Sequence, residues 1–175
     1  MLRGINVSGK NLIKMPELAD LFRKLGFSSV QTYIQSGNVI FRTDDDCSVQ
    51  ILSAKIEQAI LDRFRFNVAV VLRTPGELDS AIQHNPFQNA DGSKKENIYI
   101  TFLENPPLTD HLDKIEKLSF LPDRFVIRGT EIYIDCAGGY GTTKLSNSFF
   151  ENKLKVRATT RNWKTVNTLL EMARD

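Results

Sequence analysis

Thr32-Tyr33-Ile34-Gln35-Ser36-Gly37-Asn38-Val39-Ile40-Phe41 is the stretch whose reading decides the fold of this chain. Two runs rich in β-formers, TYIQS and VIF, flank the pair Gly37-Asn38. Glycine supplies positive φ at no steric cost, so the pair predicts a two-residue hairpin between strands at 29–35 and 38–43. Upstream, Met15, Leu18, Phe22 and Leu25 recur at helical spacing, with Pro16 in the first turn and Gly26 just past the end. Downstream, Val49, Leu52, Ile56, Ile60 and Phe64 mark the buried face of a helix over 48–64. The aspartates Asp44, Asp45 and Asp46 before it read as its cap rather than as a cation site. Residues 67–73 (NVAVVLR) read as a buried strand. Residues 1–4 read as the stub of a strand, short enough that residues before Met1 are expected. The order is β-α-β-β-α-β, the split ferredoxin-like pattern.

The rest of the chain repeats that order. Thr74-Pro75-Gly76-Glu77 carries a capping box and opens a connecting helix that stops near Asn85-Pro86. A polar loop follows over 88–96. Then come a strand over 97–103, a helix capped by Thr109 with Leu112, Ile115 and Leu118 inward, and strands over 124–128 and 131–135 around Gly129-Thr130. A glycine-rich loop leads into a helix over 145–154, a short strand over 155–159, and a last helix over 162–173 with Trp163, Val166, Leu170 and Ala173 inward. The fold class is therefore α+β: two ferredoxin-like βαββαβ halves, a pseudo-duplication with antiparallel sheets, plus a connecting and a C-terminal helix. The expected divisions are 1–73, 74–96 and 97–175.

Composition narrows the function classes. With 175 residues, 41% of them hydrophobic and 25% charged, the chain is long enough to bury a core. A formal net charge of +2 is too small to imply nucleic acid by itself. No apolar run approaches a membrane span and no signal-peptide pattern opens the chain, so a cytoplasmic protein with no membrane partner is expected. Cys47 and Cys136 lack metal-ligand spacing, so no metal is expected; they read as reduced thiols, with an occasional disulfide as the alternative.

Four segments carry the candidate binding residues. The turn Gly138-Gly139-Tyr140-Gly141-Thr142-Thr143-Lys144 joins a strand to a helix, and its backbone N–H groups at Gly139 and Gly141, with Lys144, suit an anion. It matches neither the Walker pattern nor GxGxxG, and a flexible connection with a solvated lysine is the competing reading. The loop Arg3 to Asn11 offers Arg3, Asn6 and Lys10; Arg3 suits a carboxylate or phosphate, and the competing reading pairs it internally and makes Asn6 a turn former. Gln35, Ser36 and Asn38 crowd the hairpin tip. In the C-terminal part, Arg161 and Asn162 precede Trp163; Asn162 suits a helix cap and Trp163 a core position. The stretch Lys144, Lys153, Lys155, Arg157, Arg161 and Lys164 contains one acid, Glu151, and suits either a phosphate backbone or a solvated face. His84, His111, Asp110 and Asp113 form no recognisable catalytic set, and GxSxG is absent.

Four segments in order carry a resemblance: LRGINVSGKN at 2–11, TYIQSGNVIF at 32–41, GYGTTKL at 139–145 and ATTRNWKTV at 158–166. Over essentially its whole length the chain resembles the bacterial family catalogued as domain of unknown function 1697. Family members carry a fuller first strand, and a serine before the lysine of the Gly-rich segment, where this chain has Thr143. The resemblance implies an α+β fold of two ferredoxin-like halves and no established activity, cofactor or catalytic residue. Three functions follow in order. The first is non-catalytic binding of an anionic ligand, nucleic acid or a phosphorylated metabolite. The second is a small-molecule enzyme using the same loops, and the third a structural or protein-interaction domain. The RNA-recognition signature is absent, which weighs against the nucleic-acid version. No cofactor is implied, and the sequence leaves the oligomeric state open.

Overall fold

The computed structural model describes residues 1–7, 9–44, 46–87 and 95–174. The chain divides into two compact units, Met1–Leu72 together with the chain end from Glu171, and Arg73–Leu170. Asp45 and most of the polar loop expected at 88–96 lie outside the described residues.

The first unit contains α1 (Met15–Lys24), β1 (Ser28–Tyr33), β2 (Asn38–Arg42) and α2 (Val49–Phe64). β1 and β2 pair antiparallel, but the hairpin is wider than the sequence suggests. Tyr33 pairs with Asn38, so the connection is Ile34-Gln35-Ser36-Gly37 and not Gly37-Asn38. Asn38 belongs to the strand because its amide closes the loop from within. Its Nδ2 donates to the Tyr33 carbonyl at 3.1 Å and to Ser36 Oγ at 3.0 Å, with the residue fully buried. Gly37 keeps the positive φ, +79°.

The strand expected over 67–73 is reduced to a single bridge, Leu2 with Val70. Beside that bridge Arg3 N–H donates to Ala69 O and Val71 N–H to Met1 O, both at 2.9 Å. On the other side Val70 N–H goes to the Glu57 carboxylate of α2 at 2.8 Å, so a side chain stands where another strand would. Leu2 N–H also donates to Gly37 O at 2.8 Å, which sets the N-terminal segment beside the hairpin. The cap of α2 is Ser48, whose Oγ accepts from Ile51 N–H, and not an aspartate; Asp44 and Asp46 are exposed. Val49 is 51% exposed, because the buried face starts only at Leu52 and continues through Ser53, Ile56 and Ile60. These residues join Leu2, Ile5, Leu18, Phe22, Phe27 and Val70 in one core, capped by the ring cluster Phe22, Phe27 and Phe41.

The second unit contains α3 (Pro75–Gln83), a 3₁₀ turn (Lys95–Asn97), β3 (Ile98–Leu103), α4 (Thr109–Ile115), β4 (Arg124–Arg128), β5 (Glu131–Asp135), α5 (Asn147–Leu154) and β6 (Ala158–Asn162). Its sheet is antiparallel in the order β4-β5-β3-β6. With the βαββαβ connection, that is the ferredoxin-like arrangement. The Thr74–Glu77 capping box of α3 is formed. Thr109 is the first helical residue of α4 and Leu108 its cap, with no side-chain bond there, and Leu118 lies beyond the helix. β6 starts three residues later than the sequence suggests, because Lys155 is left-handed (φ 58°) and closes α5; its N–H donates to Glu151 O. α5 itself begins at Asn147 behind a Ser146 cap.

The side of the sheet under α4 and α5 is packed with Leu103, Ile115, Ile132, Ile134, Cys136, Leu145, Phe150, Leu154 and Ala158. A buried ion pair ties the start of the unit to its sheet. Arg73 Nε donates to Glu131 at 3.1 Å, its Nη2 donates to Leu103 O and Thr130 O, and its guanidinium lies over the Phe102 ring. Breaking such a pair leaves a buried charge uncompensated. The last helix, α6 (Trp163–Arg174), buries Trp163, Thr165, Val166, Leu169 and Leu170.

A Cβ on Gly37 would stand 2.8 Å from Leu2 Cβ and Ile5 Cγ1, a distance that real side chains do not tolerate. We therefore expect Gly37→Val to lose about 2–5 kcal/mol, from left-handed strain in a β-branched residue together with overpacking. Urea denaturation checks this: a midpoint equal to that of the parent is incompatible with the packing described.

Candidate functional site

The candidate residues fall on both units, and each group is described within its own. In the first unit Asn6 holds the N-terminal loop to the hairpin tip. It sits at φ 53°, a conformation that asparagine tolerates better than most residues. Its Nδ2 donates to Ile13 O and to Gln35 O, both at 2.9 Å, and its Oδ1 accepts from Ile13 N–H at 2.8 Å. Asn6 thus brings the loop against Gln35, as Asn38 brings Ser36 against Tyr33. The amides at both positions serve the protein's own backbone. Gln35 and Lys10 are exposed, while Arg3 and Ser36 are half-buried.

In the second unit the glycine-rich turn rests on a carboxylate that the sequence does not single out. Asp123, at the entry to β4, accepts from Ala137 N–H at 3.0 Å and from the Thr143 hydroxyl at 2.6 Å. Thr143 Oγ1 in turn accepts from Leu145 N–H at 3.1 Å. The contact needs a hydroxyl, which serine also carries. The Thr142 hydroxyl lies 3.1 Å from Gly138 O and 3.2 Å from Gly139 O. The turn is thus braced from beneath, with Gly141, Thr142 and Lys144 exposed above and Gly139 at φ +82°.

Beside it lies a network that sequence spacing could not reveal. Thr160 Oγ1 donates to Asn147 Oδ1 at 2.7 Å and accepts from Tyr140 OH at 3.1 Å and from Thr101 Oγ1 at 2.6 Å. One donor and two acceptor sites exhaust a hydroxyl. The Tyr140 ring packs on Tyr99, with centroids 4.8 Å apart. The signal in the sequence is only the pairing of β3 with β6, which sets Thr101 opposite Thr160.

The basic stretch is thinner than its sequence suggests. Arg157 holds both carboxylate oxygens of Glu104. Arg161 points to the opposite side of β6 and is 7% exposed, with its Nη1 donating to Thr159 Oγ1 and Thr160 O at 2.8 Å. Burial pulls its guanidinium down to about 10. Asn162 ends β6 and also caps α6, accepting from Thr165 N–H at 2.7 Å. Lys144, Lys153, Lys155 and Lys164 are exposed. His84 and His111 each place Nδ1 against a helical carbonyl, Ser80 O at 2.8 Å and Leu154 O at 3.1 Å. Among the described residues no three His, Cys, Asp or Glu side chains gather as a metal site would need, and no helix is long and apolar enough to cross a membrane.

The family described as "Protein of unknown function (DUF1697)" matches residues 1–133. The fold is similar to that of a conserved bacterial protein of Streptococcus pneumoniae, with a TM-score of 0.76 and 23% identity over 99% of this chain and 96% of that one. At that identity the likeness speaks for the fold alone. No curated protein matches the chain.

Two buried groups of the second unit respond to alkali. Burial, opposed by a hydrogen bond with Thr143, raises the Cys136 thiol from 9.0 to about 11, and burial and then Glu131 raise Tyr133 from 10.0 to about 12. In each case the folded state keeps a proton that the unfolded chain releases. The stability involved is present below pH 9 and is lost as pH rises through 11 and 12. Thermal melts across this range should show the fall. In Cys136→Ala the fall should begin only near pH 10, where the tyrosine of the unfolded chain starts to release its proton.

Proposed function

The chain belongs to the DUF1697 family of proteins of unknown function, and we propose that it is a non-catalytic binding protein for a small anionic ligand, received by the glycine-rich turn of the second unit. The observation that carries this reading is the brace beneath the turn. Asp123 and Thr143 hold Gly138–Lys144 from below, Thr142 ties the turn to itself through Gly138 O, and Gly141, Thr142 and Lys144 are left exposed. A backbone ordered before the ligand arrives loses less entropy on binding. Lys144 adds a charge at that place, and the turn leads into the Ser146 cap of α5, whose dipole favours an anion.

A phosphorylated metabolite suits the turn better than a nucleic acid. Arg157 is occupied by Glu104 and Arg161 is buried, so two of the six cations of the basic stretch do not face a passing phosphate backbone. Four exposed lysines distributed along α5 and beyond make a short footprint.

Two titrations test the reading. Calorimetry with pyrophosphate should show saturable binding that weakens about tenfold in Lys144→Ala, the loss of one charge-assisted contact. Anisotropy with a labelled single-stranded RNA should show weak binding whose log–log salt slope stays near the −0.7 of a single neutralised phosphate. A slope several times steeper, reduced by Lys155→Ala, would turn the reading towards nucleic acid. If neither probe binds at low salt, anion binding is wrong.

A further inference from the structure

The second unit has another surface, at the far edge of its sheet from β6. β4 is the edge strand in the order β4-β5-β3-β6. Beside it, on the side that carries Phe125 and Ile127, lies a cleft of about 360 Å³ lined by the segment between α4 and β4 and by β4 itself. Leu118, Phe120 and Leu121 form its apolar wall, and Leu121 is 79% exposed. An edge strand next to an apolar cleft is the geometry that takes up an extended peptide: main-chain hydrogen bonds hold it, and alternate side chains enter the cleft. Among the described residues no further strand pairs with β4, and an unpaired edge invites a partner strand.

The charges on β4 specify that partner. Its sequence is Arg124-Phe125-Val126-Ile127-Arg128, with Phe125 and Ile127 on one side of the pleat and both arginines on the other; Arg124 also borders the cleft, as do the acids Glu116 and Asp123. The strand it already pairs with, β5, sets Asp135 opposite Arg124 and Glu131 opposite Arg128, with Ile134 and Ile132 opposite Phe125 and Ile127. The pleat makes the same demand on the outer side. A strand with acids four residues apart beside the arginines turns its two intervening alternate side chains towards Phe125, Ile127 and the cleft. Arg128 is exposed and donates to His84 O, and Arg124 binds Asp135 and lies over the Phe87 ring, so both cations are held in place on that side. A second copy of β4 does not fit: antiparallel pairing about Val126 would set Arg124 against Arg128 twice, and like charges directly opposite repel.

We propose that β4 and its cleft are a docking site for an extended peptide of the pattern acid–apolar–any–apolar–acid, bound by strand addition. The site shares Asp123 with the brace of the glycine-rich turn and is otherwise made of other residues, and it goes beyond the anion-binding reading.

The test uses the full chain and a labelled peptide containing Glu-Ile-Tyr-Ile-Asp, the sequence of β5. Fluorescence anisotropy should give saturable binding. N-methylation of alternate backbone nitrogens in the peptide should abolish it, and lysines in place of the two acids should weaken it about tenfold or more. Arg128→Glu should reverse the preference, so that the lysine-ended peptide binds better than the acidic one. Leu121→Asp, an exposed cleft position outside the core, should weaken binding with no change in melting temperature. No saturable binding, or equal binding of the N-methylated peptide, overturns strand addition. Equal binding of both charge forms overturns the assigned partner chemistry.

Discussion

The first unit depends on a backbone approach that no side chain can enter. Gly37 lies against Leu2 and Ile5, and its carbonyl takes the Leu2 N–H at 2.8 Å. The N-terminal segment meets Val70 in a single bridge at Leu2, so a ladder does not by itself hold it there. Its position is set by that contact on one side and by Ala69 and Val71 on the other. Once it is in place, Leu2 and Ile5 complete a core with α1, α2 and the aromatic cluster of Phe22, Phe27 and Phe41. The second unit is built on a four-stranded sheet. Its central strand β3 pairs along its length with both β5 and β6, so regular hydrogen bonding does there what a glycine contact does in the first unit.

Polar side chains in the conspicuous loops are largely employed within the protein. Asn6 and Asn38 each satisfy backbone groups that would otherwise be half-buried without a partner, and Asp123 takes the Ala137 N–H at the surface. Leaving one such group unsatisfied costs about 1–3 kcal/mol, more than a typical hydrogen bond contributes when both partners are present. Motifs rich in Asn, Gly and Thr therefore have a structural reason to look as they do, before any ligand is considered. The turn at Gly138–Lys144 shows how the two roles combine, since the hydroxyls and the carboxylate that order it lie on one side and leave the other to solvent.

The two edges of the second sheet differ in chemistry. One carries β6, with Arg157 and Arg161 already engaged and exposed lysines on the neighbouring helix. The other carries β4, with an arginine at each end and an apolar cleft alongside. Charged ends blunt self-association of a bare edge while leaving it open to a strand of opposite charge.

Local patterns in the sequence determined the element order, the helical faces of α1 and α2, the capping box at Thr74–Glu77 and the tight turn at Gly129-Thr130. These rest on interactions within a few residues, where spacing and turn chemistry act directly. The α+β class and the βαββαβ path of the second unit follow from that order. Tertiary structure decided what depends on partners far away in the chain. The hairpin widened to four residues because Asn38 was drawn inward, and the strand at 67–73 shrank to one bridge because Glu57 took its outer N–H. β6 moved past Lys155 because a left-handed residue closed α5 first, which placed Arg161 inside the sheet rather than in a basic loop. Asp123 took its place under the glycine-rich turn through pairing across the sheet, and no local pattern marks a residue whose bonds are made with segments more than a dozen positions away.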